Sequence, residues 1–466
     1  MKPVFLWSDV LLYILLVAIG VFIVNLMRNP QNRQRWREVF QSRLGMSCFI
    51  VILTYILIGF TDSLHFRVAL EPVPGQNNEK TFYSSDVYSV LDKLLGEMGE
   101  VNERTYSAPF SLKSYSRENM LDDKGHIYRG YPELEHAGNH LKPGEDKGRD
   151  IFWQSVIGIG KGIGTSLLLI GFHYGWRRGR RTNLAWQSAY ITTTGIICML
   201  AWLQHVGNLY HVLGTDMGGT DVLYKAFKGV RTGMMIGSLA TLIMLPIAVS
   251  LGIAAGYFKG WVDDIIQYLY TTLSSIPGIL LIAAVVLLFQ VWIDLHPDYF
   301  LTSLEKGDAQ FIALCFILGV TSWATLCRLL RAETLKLSQL DYIQAAHAFG
   351  VSHFRVIFRH ILPNVTHIIL ITFILDFSGL VLAEAVLAYI GIGVDASMIS
   401  WGNMITSGSS ELSRDPAVWW NLTGAFLFMF VLVLAANLFA DLVNHVFNPK
   451  TVNTVDAFRS GLPDEK

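Results

Sequence analysis

The stretch DYIQAAHAFGVSHFRVIFRHILPN, residues 341–364, is polar and basic, yet it lies between two strongly apolar runs, 311–329 and 365–390. Both flanks have the length and composition of membrane-spanning helices, because about 20 residues rising about 1.5 Å each cross the hydrocarbon core. A charged segment held so tightly between two spans has to emerge at a membrane face. The segment therefore sets the reading of everything around it.

Its own pattern predicts two helical arms. The first runs through AETLKLSQLDYIQAAHAF (332–349), with Leu335, Ile343, Ala346 and Phe349 on one face. Gly350 ends it, since glycine adopts the left-handed conformation that closes a last turn. Ser352 caps a second, short helix whose apolar residues Phe354, Ile357, Phe358 and Ile361 stand at i, i+3, i+4 and i+7, with Arg355, Arg359 and His360 opposite. Pro363 opens the next span, where its missing amide hydrogen costs nothing. The expectation is a basic, amphipathic elbow, suited on physical grounds either to an anionic lipid surface or to a groove on a partner protein.

Outward from the elbow, the 466 residues are 52% hydrophobic and only 16% charged, with a net charge of −1. That balance points to a membrane protein and gives no reason to expect nucleic acid as a partner. Apolar runs at 10–27, 46–61, 153–174, 186–205, 234–257, 265–293, 311–329, 365–390 and 422–446 predict an all-α polytopic protein of about nine spans. Three short basic loops follow the first, third and seventh spans: RNPQNRQRWREVFQSR (28–43), WRRGRR (176–181) and the elbow. Such loops lie in the cytoplasm. Alternation then puts the amino terminus outside and the carboxyl terminus and tail 451–466 inside. The first span lacks a small-residue cleavage site and has its basic flank after it, so it reads as a membrane span and not a cleaved signal peptide. Cys48, Cys198, Cys315 and Cys327 all fall inside these apolar runs and read as packing residues, not as a disulfide framework or metal site.

Residues 62–150 are expected to form an external inserted segment, too polar for lipid in stretches such as EPVPGQNNEK (71–80) and HLKPGEDKGRD (140–150). Within it SSDVYSVLDKLLGEMGEV (84–101) reads as a helix capped by Ser85 or Asp86, with Val87, Leu91, Leu94, Met98 and Val101 on one face. GIGKGIGTS (158–166) lacks the spacing of a phosphate loop. Gly160 and Gly164, four apart, instead predict close helix packing, with Lys161 reaching toward the outer interface.

The spacing Ala345-Ala346, Gly350 and Leu362-Pro363 resembles the EAA loop of ATP-binding-cassette (ABC) importer permeases. QAAHAFGVSHFRVIFRHILPN (344–364) is similar to its version in the dipeptide, oligopeptide and nickel permease subunits, with Gln344 where the motif has Glu and His360 where Ile is general. HVLGTDMGGTDVL (211–223), GYFKGWVDD (256–264), SSIPGIL (274–280), LAEAVLAYIGIGV (382–394), SWGNMI (400–405) and NLFADLVNHVFNPK (437–450) resemble further family segments in the same order.

The resemblance implies a type I ABC importer transmembrane domain over 207–450. Residues 331–363 would be a cytoplasmic coupling loop, carried by Asp341, Gln344, Ala345, Ala346, Gly350, Arg355, Arg359, Leu362 and Pro363. It implies a second permease subunit, two ABC ATPase subunits and an extracytoplasmic solute-binding protein as partners in a bacterial cytoplasmic (inner) membrane. No cofactor is expected on this chain, since ATP is used by the partner subunits. Segments 1–61, 62–150 and 151–206 carry the amino-terminal spans, the insertion and two extra spans.

Asp376 and Glu384 lie in the eighth span, about 80° apart around a helix. Ionisable groups at that depth are functional candidates, and with Pro277 they are the candidate residues of the translocation pathway. The same pair leaves an ion-gradient-driven secondary transporter as the alternative, although no internal repeat is visible. His347, His353 and His360 do not share one helical face, which argues against a metal enzyme.

Overall fold

The computed structural model describes residues 2–28, 30–69, 83–84, 86–121, 126–141, 145–176, 184–300 and 302–447. Ser85, the stretch 71–80, most of the basic turn 176–181 and the tail 451–466 lie outside the described residues. Among the described residues eight helices are long and apolar enough to cross a membrane, and a shorter apolar run, Trp7–Val21, precedes them. The described chain falls into two compact units. One draws on Met1–Asp9, Phe40–Met234 and Met398–Leu432, the other on Val10–Val39, Met235–Ser397 and Val433–Lys466.

In the first unit, α3 (Arg43–Asp62), α5 (Lys147–Trp176) and α6 (Trp186–Gly207) are membrane-length helices. α5 and α6 pack through glycines, though not through Gly160 and Gly164. Around those two nothing lies within 4 Å of a notional Cβ, whereas one on Gly158 would stand 3.1 Å from the Trp202 Cα and one on Gly162 2.5 Å from the Cys198 Cα. Gly158, Gly162 and Ser166, at i, i+4 and i+8, are the buried stripe of α5. Gly160 sits two residues off that stripe, about 200° round the helix.

Two strands of the inserted segment, β2 (His65–Arg67) and β3 (Tyr88–Ser89), join the amino-terminal β1 (Lys2–Val4) in a small antiparallel sheet of order β1-β2-β3, and the segment also holds a hairpin of β4 (Glu118–Leu121) with β5 (Ile127–Gly130). Its helix, α4 (Val90–Leu95), is shorter than expected and is capped by Ser89, not by Asp86. The Ser89 hydroxyl accepts from the Asp92 N–H at 3.1 Å and the Asp92 carboxylate accepts from the Ser89 N–H at 2.7 Å, a closed capping box. Leu91, Leu95 and Met98 are the buried residues, while Leu94 is 52% exposed. They share a core with Leu203, Val206, Tyr210, Leu223 and Phe227.

Two long helices, α7 (Val222–Phe258) and α15 (Trp420–Phe447), contribute residues to both units. The second unit also holds most of α1 (Trp7–Arg28) and α2 (Pro30–Gln41), whose Trp36 packs on Phe439 and Phe447 near the end of α15. The single span expected over 265–293 is instead two helices, α8 (Gly260–Ser275) and α9 (Gly278–Leu295). Ile276, the residue before Pro277, is extended (φ −92, ψ 132), because the proline ring excludes the helical conformation from its predecessor. α10 (Ser303–Leu337) and α13 (Leu362–Tyr389) flank the polar elbow, and α14 (Trp401–Glu411) in the first unit precedes α15. Cys48, Cys198, Cys315 and Cys327 are free thiols.

Candidate functional site

The elbow begins where α10 ends. Ser338 and Gln339 turn the chain, so the single helix expected over 332–349 is broken into α10 and α11 (Asp341–Ala348). Gly350 closes α11 with φ +73. Its N–H donates to the His347 carbonyl at 2.9 Å and the Val351 N–H to the Ala346 carbonyl at 3.1 Å, the paired bonds of a Schellman motif, with Val351 and Ala346 both packed on the core beneath.

The second arm departs further from expectation. α12 (His353–Val356) passes through a π-helical stretch, Ile357–Ile361, straight into α13, so that His353–Tyr389 is one helical run of 37 residues. Pro363 therefore does not start a separate helix. It offers no N–H to the preceding turn, and a π segment is a known way for a helix to absorb such a disruption. The extra residue per turn also rotates the apolar face. Val356 and Ile361 are fully buried, five apart, whereas Phe354 and Phe358 are 76% and 64% exposed.

Both arms rest on one apolar base. Ile343, Val356, Ile361 and Val365 are buried against Ile253, Ala255, Tyr257, Cys327 and Leu330 of α7 and α10. Glycines bring those two helices close. A Cβ on Gly252 would lie 2.8 Å from the Cys327 carbonyl oxygen, and one on Gly256 2.7 Å from that of Arg331. Arg331 then grips Asp263 of α8 through two bonds of 2.5 and 2.7 Å. At the foot of the elbow the Asn364 amide donates to the Tyr342 hydroxyl at 3.2 Å and to the His360 carbonyl at 2.7 Å.

From this base the elbow presents Asp341, Gln344, Ala345, Phe349, Phe354, Arg355, Phe358 and Arg359, all exposed. The Gln344 amide donates back to the Gln339 carbonyl at 3.0 Å. Leu362 packs on the base, and Pro363 is exposed. His347 and His353, which share no helical face, nonetheless meet at the hydroxyl of Tyr257. Sequence reasoning passed over Tyr257, although it stands inside the quoted GYFKGWVDD. Among the described residues no group of three or more His, Cys, Asp or Glu side chains is placed to hold a metal ion.

The pathway candidates are separate from the elbow. Glu384 is 2% exposed and Asp376 half-buried, both on α13, while Pro277 is exposed at the start of α9. Buried Asp308 and Gln310 of α10 are polar groups that the sequence reading did not single out.

Residues 248–453 match the family of binding-protein-dependent transport system inner membrane components. The glutathione transport system permease protein GsiD of Pectobacterium atrosepticum is 31% identical over 240 residues, 52% of this chain and 73% of the relative. The chain belongs to that family. Oligopeptide permease OppC of Mycobacterium bovis is 30% identical over 239 residues (51% of this chain, 76% of the relative), and dipeptide permease DppC of Bacillus subtilis 28% over 240 (52% and 69%). This permease is thus an integral membrane subunit of an ABC importer, with the type I transmembrane fold. The shared part includes the elbow, and the matched family segment begins inside α7.

Outside that segment the permease carries two buried polar networks in its first unit. Lys225, Lys228 and Arg231, three residues apart on α7, pair with Asp216, with Asp62 and Asp92, and with Asp9 respectively. The span expected to begin at residue 234 is thereby extended to Val222, and the i, i+3, i+6 spacing of these cations was its signal. Beside it, His211 bonds Asp221 at 2.7 Å and Glu103 at 3.4 Å, and Glu103 also accepts backbone N–H bonds from Glu135, His136 and Ala137. Burial alone would raise the Glu103 carboxyl, but the His211 and backbone hydrogen bonds bring it down to about 2. Burial would likewise lower His211, but its bonds to Asp221 and Glu103 raise it to about 9.

Proposed function

We propose that this chain forms half of the pathway of a peptide importer and passes the motion of separate ATPase subunits to its spans through residues 331–363. The observation that carries the proposal is the elbow itself: a glycine-closed turn on an apolar base, with Phe349, Phe354 and Phe358 exposed on the same short stretch as exposed Arg355 and Arg359. Three exposed phenylalanines on so small a surface suit a protein groove, which buries aromatic anchors at the centre of a contact and leaves charges at its rim.

In this reading the elbow is cytoplasmic, the amino terminus is outside and the carboxyl terminus inside. The partners are a second permease chain, two ATPase subunits and an extracytoplasmic solute-binding protein that meets the insertion 62–150. The cargo follows from the glutathione, oligopeptide and dipeptide systems of the relatives. Asp376 and Glu384 are the candidate cargo-facing acids. Proteoliposomes holding the complete complex test this. Uptake of short peptides should require ATP inside and survive collapse of the proton and sodium gradients; uptake that follows an ion gradient without ATP would overturn it.

A further inference from the structure

Tyr257 sits in the last turn of α7 and is 8% exposed. Its hydroxyl lies 3.1 Å from His347 Nε2 and 2.9 Å from His353 Nδ1. His347 ends the first arm of the elbow and His353 begins the second, with Gly350 midway between them. The phenol ring stacks on the His347 imidazole at 5.5 Å and meets the His353 ring edge-on at 5.6 Å. A phenol donates one hydrogen bond and accepts others, so a single hydroxyl can give its proton to one imidazole nitrogen and take an N–H from the other. Both arms are then held by one atom.

The turn needs such a hold. Gly350 has no side chain, and nothing stands within 4 Å of where a Cβ would be, so sterics do not restrain the turn on its open side. The Schellman bonds fix Gly350 and Val351 to the first arm only. Tyr257 is well placed to fix the second, because Gly252 and Gly256 seat its helix tightly on α10.

We propose that Tyr257 is a positioning residue for ATP coupling, cross-bracing the two arms through His347 and His353 so that force on the elbow moves α7 instead of flexing the chain at Gly350. This rests on the reading of 331–363 as the coupling loop. Amide hydrogen exchange on the full permease chain in nanodiscs reads the brace, and ATP hydrolysed per peptide imported by the complete complex reads its use. Tyr257→Phe removes only the hydroxyl. Exchange at residues 349–353 should rise roughly tenfold, the equivalent of one to two ordinary hydrogen bonds, and ATP consumed per peptide should rise several-fold. His347→Gln and His353→Asn, which keep a polar atom near the phenol, should retain most of the coupling that His347→Ala and His353→Ala lose. Unchanged exchange in Tyr257→Phe would overturn the brace, and raised exchange with an unchanged ATP cost would overturn its role in coupling. Failure of the loop reading itself is seen separately, as full ATP-driven uptake with Gly350→Trp.

Discussion

The elbow at 341–364 and the polar network around the amino-terminal half of α7 are both rich in charge, and they dispose of it in opposite ways. Around α7 every cation named has a carboxylate partner and most of those groups are buried: Arg231 is 8% exposed at its side chain and Asp9 0%. At the elbow Arg355, Arg359 and three phenylalanines face outward from an apolar base. A buried, paired charge is held in place because exposing or orphaning it is costly. An exposed aromatic among unburied charges contributes little to its own chain and remains available to another. The first region is built to hold the chain together and the second to be gripped.

The largest effect should come from breaking the first. Arg231→Met leaves buried Asp9 with His65, 2.8 Å away, in place of a guanidinium, and should cost about 3 kcal/mol, read as a lower unfolding temperature in detergent. Adding Asp9→Leu should restore much of the loss; an Arg231→Met protein as stable as its parent would erase the contrast. At the elbow the signs reverse. Gly350→Trp forces a bulky side chain into a left-handed conformation at about 1–2 kcal/mol, yet ATP-driven uptake should fall by roughly tenfold or more as the arm angle changes.

Smaller effects sharpen the same distinction between buried and open positions. Gly162→Leu should destabilise the α5–α6 pair by about 1–3 kcal/mol, whereas Gly164→Leu, on an open face, should stay within about 0.5 kcal/mol of the parent. The last concerns pH. His211 is raised from 6.5 to about 9, so its contribution is complete below about 6.5 and is lost as pH rises through 9. Glu103 is lowered from 4.5 to about 2, so its contribution is complete above 4.5 and is lost as pH falls through 2. Stability from this pair should therefore be greatest between about pH 4.5 and 6.5, and His211→Gln should flatten the alkaline side of a thermal-shift profile.

What could be read in advance follows from what is local. Gly350 announced a helix end because only its own backbone and the preceding turn are involved, and φ +73 with a Schellman closure is the outcome. The break at Pro277 was equally local, yet an apolar run on both sides hid it, since hydropathy counts residues and does not see that Ile276 must be extended. Facing was less legible. Phe354 and Phe358 fit an ideal helix of 3.6 residues per turn, but with one π turn before Pro363 burial falls on Val356 in their place, while Ile361 is buried as its position on that face predicts. Gly160 and Gly164 have the same spacing as Gly158 and Gly162, and nothing in the spacing says which pair meets α6.

Composition, apolar run length and glycine determined by themselves that this chain is a helical membrane protein with a polar elbow before the span at 365–390, since each depends on neighbours along the chain, and the resemblance of its ordered motifs to the permease family added what kind of membrane protein it is. Tertiary structure alone decided which cation meets which carboxylate, which glycines admit a neighbouring helix, and that one tyrosine hydroxyl joins two histidines. The tyrosine–histidine contact and the Arg231–Asp9 pair link residues 90 and 222 positions apart, and only the packing of helices brings such groups within the 3 Å at which hydrogen bonds form.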